Sequence, residues 1–114
     1  MKNVYKQAAQ GDVLFIIRDE LPPGLVEVKR KGALVVAHSE TGHHHSIETQ
    51  GVRLFEKADR DPLVCFLSLG EQPAEVIHHR PYDAHEALCL HGKFVEVRRQ
   101  RETTPEGLTR RVED

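Results

Sequence analysis

No stretch of this sequence approaches the eighteen or so consecutive apolar residues that a membrane-spanning helix needs, and no internal repeat or low-complexity segment is present. The opening residues Met1-Lys-Asn-Val-Tyr-Lys-Gln7 lack the apolar core of a secretory signal, so the cytoplasm is the expected location and no membrane partner is expected. Cysteine is scarce. Cys65 and Cys89 each sit between apolar neighbours without C-x-x-C spacing, which argues for buried reduced thiols rather than a disulfide framework. An excess of one charge is also missing: 30% of residues are charged, yet the formal net charge is only −2. That balance singles out neither nucleic acid nor an acidic membrane surface as an obligate partner. Nor does any segment show an amphipathic pattern long enough for a helix to stand alone.

What is present is a series of short β-like runs in a chain of 114 residues, the size of one domain. Val13-Leu-Phe-Ile-Ile17 reads as a buried strand, closed by the breaker Asp19-Glu-Leu-Pro-Pro-Gly24. Strands follow at Leu25–Arg30, Ala33–Ala37, His43–Glu48, Val52–Glu56, Leu63–Leu69, Ala74–His79 and Lys93–Val97, with turn residues between them. The spacing predicts an all-β fold: a small single-domain β-barrel or sandwich of about seven or eight short strands. Residues 1–10 are expected to form a flexible N-terminus, 11–102 the barrel-like domain and 103–114 a tail. Thr104-Pro105 is placed to cap a short C-terminal helix, which Gly107 weakens.

Histidine is in excess. All eight fall between His38 and His91, and four lie in the turn Val36-Ala-His38-Ser-Glu-Thr-Gly-His43-His44-His45-Ser-Ile-Glu48. Side chains alternate along a strand, so His43, His45 and Ile47 share one face while His44, Ser46 and Glu48 share the other. With Ile47 pointing inward, His43 and His45 point inward and His44 faces solvent. Two imidazoles at i and i+2 on one face can reach a single metal ion, which needs three or four ligands in all.

The remaining ligands are expected from the second cluster, His78, His79, His85 and Glu86. His85 and His91 cannot both join one site from one extended strand, because six residues at about 3.3 Å each separate them by roughly 20 Å. His85 is favoured as ligand and His91 as a turn residue beside Gly92; His79 is preferred over His78 because it borders the break at Pro81. The expected metal ligands are therefore His43, His45, His79 and His85. Against this stands the reading of a solvated polar tip, and of core histidines bonded to backbone. No serine or cysteine stands in a nucleophile setting. Arg98, Arg99, Arg101, Arg110 and Arg111 form a basic strip suited to phosphates, but Glu96, Glu102, Glu106, Glu113 and Asp114 interleave with it, which favours a self-paired surface.

Gly42-His-His-His-Ser-Ile-Glu48 resembles the first motif of the cupins, metal-holding β-barrels, over about a tenth of the chain; the second cupin motif has no counterpart here. A broader resemblance is to a group of small uncharacterised bacterial and phage proteins, carried by Gly11-Asp-Val-Leu14, Thr41-Gly-His-His-His45, His85-Glu86, Gly92–Val97, Arg99-Gln-Arg-Glu102 and Arg111-Val-Glu-Asp114. This likeness supports His43, His45 and His85 and implies no reaction. The resulting expectation is a histidine-cluster site for zinc, iron, nickel or manganese. Metal-assisted hydrolysis of a small molecule, with Glu86 as catalytic proton carrier, is its extension. The alternatives are a non-enzymatic binding or assembly module related to phage proteins, and a nucleic-acid-binding barrel using the arginine strip. A homo-oligomer is compatible with each.

Overall fold

The computed structural model describes residues 1–29, 34–38, 44–59, 61, 63–78, 87–99, 101–103 and 109–111. These residues form strands and turns, with no helix among them. In chain order the strands are β1 (Lys2–Val4), β2 (Gln7–Gln10), β3 (Val13–Arg18), β4 (Leu25–Val28), β5 (Leu34–His38), β6 (His44–Ile47), β7 (Arg53–Lys57), β8 (Val64–Ser68), β9 (Ala74–His78), β10 (Leu88–Leu90), β11 (Phe94–Arg99), β12 (Arg101–Thr103) and β13 (Thr109–Arg111).

Two open sheets carry the fold. One has the order β1-β10-β9-β6-β5 and the other β2-β3-β11-β8-β7-β4, while β12 and β13 pair with each other. The architecture is a sandwich rather than a closed barrel, because both large sheets keep edge strands. Apart from the parallel β1–β10 pair, the ladders are antiparallel.

The core lies between the inner faces. Val13, Phe15, Val95, Val97, Leu54 and Leu67 come from the six-stranded sheet, and Val4, Ile47, Ala74, Val76, Leu88 and Leu90 from the five-stranded one. The period-two alternation that buries Val13 and Phe15 also buries Ala8 and Gln10, since Ala8 pairs with Phe15 and Gln10 with Val13. A cross-sheet contact from the Cys65 thiol to the Val36 carbonyl, at 3.6 Å, ties β8 to β5. Both cysteines are reduced.

The outer face of the six-stranded sheet carries a charged knot. Glu96, only 6% exposed, accepts from Nε and Nη2 of Arg18 at 3.2 and 2.9 Å on Oε1, and from Nε of Arg98 on Oε2. Burial pushes the Glu96 carboxyl up, but the hydrogen bonds and charges of Arg98 and Arg18 outweigh it and hold the group below the ordinary carboxylate range. Further along, Arg53 donates through Nε and Nη2 to Glu27 and lies over the Phe55 ring.

Strands occur near both chain ends. Residues 1–10, expected to be flexible, contain β1 and β2. Val4 and Ala8 are buried in the core, and Lys2 N and His91 N bond to the carbonyls of Ala87 and Val4. Their polar composition conceals this because only alternate residues face inward. β12 straddles the expected boundary at 102/103 and pairs with β13 in the tail, and residues 104–108, where a capped helical turn was expected, lie outside the described residues.

Candidate metal centre

His45 lies on the inner face of β6 with its ring fully buried, two residues from the buried Ile47. Directly across the sandwich, the buried Gln10 ends β2. Its amide nitrogen donates to the Val76 carbonyl at 3.1 Å, which leaves Gln10 Oε1 facing Nδ1 of His45 at 2.9 Å. A carbonyl oxygen can only accept, so the proton resides on Nδ1. The ring is thereby fixed in orientation, and Nε2 points the other way.

Nε2 points at Asp12. The Asp12 Oδ1 to His45 Nε2 distance is 3.7 Å, and the carboxylate is buried. Asp12 owes its position to a two-residue hairpin turn, Gly11-Asp12, between the paired Gln10 and Val13. Gly11 adopts φ 63, a left-handed conformation that glycine accepts without steric cost. The separation exceeds a hydrogen bond, yet two donors each about 2.1 Å from one tetrahedral ion stand about 3.4 Å apart.

The strands flanking the other expected ligands are described. His45 pairs with His78 across β6 and β9, and His44 with His38 across β6 and β5. β10 begins at Leu88, opposite Val76. The strand ends His38, His44 and His78 thus lie at the end of the sheet where His45 stands; His43, His79, His85 and Glu86 fall in residues 39–43 and 79–86. Those four residues, and the side chains of His38, His44 and His78, lie outside what is described. Among the described residues no group of three or more histidine, cysteine, aspartate or glutamate side chains converges, and His45 with Asp12 makes two.

His91 is placed elsewhere. It follows β10, whose Leu90 pairs with Ala74 at the far end of β9 from His78. Its Nε2 meets Asn3 Oδ1 at 3.0 Å, and its ring stacks on Tyr5 with centroids 4.5 Å apart. It lies in the connection between β10 and β11, beside Gly92. Arg98 and Arg99 fall on opposite faces of β11: Arg98 is committed to Glu96, whereas Arg99 has the parity of the buried Val95 and Val97. A pocket of about 580 Å³ opens on the outer face of the six-stranded sheet between Pro23, Leu25, Phe66 and Arg98, and no histidine lines it.

Gln10 and Asp12 escaped the sequence reading. Gln10 fell within the expected flexible terminus and Asp12 within the Gly11-Asp-Val-Leu14 motif, to which no role was assigned; the Gln10 contact with His45 spans 35 positions in the chain.

A family model for a domain of unknown function, DUF8820, matches residues 9–100. The chain belongs to the DUF8820 family. In this DUF8820 chain the matched span runs from within β2 to the end of β11 and includes Gln10, Asp12, His45 and Arg99. No curated protein and no solved structure matches it.

Proposed function

We propose that this DUF8820 protein binds a divalent transition metal at the end of the sandwich, with His45 Nε2 and Asp12 as two of its ligands. The observation that carries the reading is the buried relay from the Val76 carbonyl through the Gln10 amide to His45 Nδ1. Metal-bound histidines characteristically donate their other ring N–H to a carbonyl or carboxylate, which sets the tautomer and ring direction. Here that oxygen belongs to an anchored amide, and a carboxylate waits on the opposite side of the ring.

The strand register supports His78 as a third ligand, since antiparallel partners directly opposite each other lie about 4.5–5.5 Å apart. His43, His79 and His85 are the further candidates. A mixed set of imidazole and carboxylate suits zinc, iron, nickel or manganese. With an open position, such an ion lowers the pKa of bound water towards neutrality, and Glu86 is the proposed proton carrier for hydrolysis.

Cobalt(II) titration of metal-free protein, followed by visible absorption, tests the reading. One equivalent should bind with d–d bands in which imidazole takes part. His45→Ala and Asp12→Ala should weaken binding at least a hundredfold, while His44→Ala leaves it nearly intact. If His45→Ala binds cobalt as wild type does, the site is not built on His45 and the reading fails.

A further inference from the structure

Arg99 closes β11 at the same end of the sandwich. Its main-chain N–H bonds to the Leu63 carbonyl at 2.8 Å, and its position pairs with Val13, which in turn pairs with Gln10. Gln10, Val13 and Arg99 therefore form one row across three adjacent strands, with Val13 and Gln10 both buried on the inner face. Strands about 4.8 Å apart put Arg99 roughly 10 Å from Gln10 along that row, within the span an arginine and a small ligand cover together. The Nε of Arg99 is buried and makes no hydrogen bond among the described residues. Arg98, its neighbour, is paired on the other face.

A buried guanidinium nitrogen without an acceptor is costly, and an oxygen of a bound ligand would supply one to this half-buried side chain. We infer that Arg99 binds an oxyanion, a carboxylate or phosphate group, on the molecule that meets the metal. This rests on the metal reading given above. The planar fork of arginine matches two oxygens of such a group, and a cation beside a metal ion favours an anionic ligand over a neutral one. The substrate class is accordingly a small carboxylate or phosphate ester rather than a neutral compound.

The test uses cobalt-loaded full-length protein titrated with acetate in one arm and inorganic phosphate in the other, read by the visible spectrum. Wild type should show a saturable spectral change with at least one anion. Arg99→Met, which keeps the stem and removes the charge, should retain cobalt and lose anion affinity at least tenfold, with a melting temperature equal to or above wild type. Arg99→Lys, which keeps charge without the fork, should lose about threefold or more. Unchanged anion affinity in a variant that holds cobalt overturns this inference alone, as does the absence of any anion response in wild type. A fall in melting temperature with anion affinity intact assigns Arg99 a structural role and overturns it too. Wild type that takes up no cobalt overturns the metal reading and this inference with it.

Discussion

Gln10 Oε1 accepts the Nδ1 proton of His45 across the two sheets at 2.9 Å, so a residue from the second strand sets the tautomer of a histidine in the sixth. The contact is simultaneously a structural tie and a means of aiming Nε2 at Asp12. Removing Gln10 separates these two effects.

Gln10→Ala should cost about 1–3 kcal/mol of stability, because it leaves a buried imidazole N–H and the Val76 carbonyl without their partner. Metal affinity should fall 10–100-fold, the usual consequence of losing the group that orients a ligating histidine. Denaturant melts and a cobalt titration of the same variant measure both.

Glu96 gives the fold an acid-sensitive element. Its folded-state pKa is depressed, so its contribution is fully present above the unfolded value of about 4.3 and is lost as pH falls through the lower folded value. Glu96→Gln should destabilise by about 1–2 kcal/mol at pH 7, a figure limited by the partial exposure of both arginines. The gap between wild type and variant should narrow at pH 3. A gap that stays constant in urea melts from pH 7 to pH 3 would remove Glu96 from the account.

A chain beginning at Gly11 lacks β1, β2 and the buried Val4, Ala8 and Gln10. Loss of the valine alone removes about 1.5–3 kcal/mol of burial. The truncated chain should lose more than about 3 kcal/mol in all, read by thermal melting, whereas a dispensable terminus would leave the melt unchanged.

Gly92 has φ 149, and a methyl group there would meet Ile17 Cγ2 at 2.5 Å. Gly92→Ala should cost about 1–3 kcal/mol from overpacking and backbone strain. Gly24→Ala, with a positive φ but open space around it, should cost less. Equal losses at the two positions would show that the Ile17 contact is not what matters.

The strands that carry long apolar runs, Val13–Arg18, Val64–Ser68 and Phe94–Arg99, were legible because continuous hydrophobicity bounded by glycine and proline marks them. β1 and β2 were not, since one valine or one alanine facing inward leaves no periodic signal. The burial of His45 follows from its parity with Ile47. Its partners do not follow from any local pattern, because Gln10 and Asp12 are joined to it by the packing of two sheets. Proximity to Pro81 favoured His79, which lies outside the described residues; the strand register sets the backbone of His78 opposite His45.

The most direct test of the metal centre is elemental analysis of untagged protein purified without a metal-affinity step, with melting temperatures taken before and after chelation. A metal centre built on His45 requires close to one equivalent of zinc, iron, nickel or manganese per chain, and a melting temperature that falls with chelator and recovers with metal. Protein that carries no metal, and whose melting temperature ignores both chelator and added metal, would contradict it.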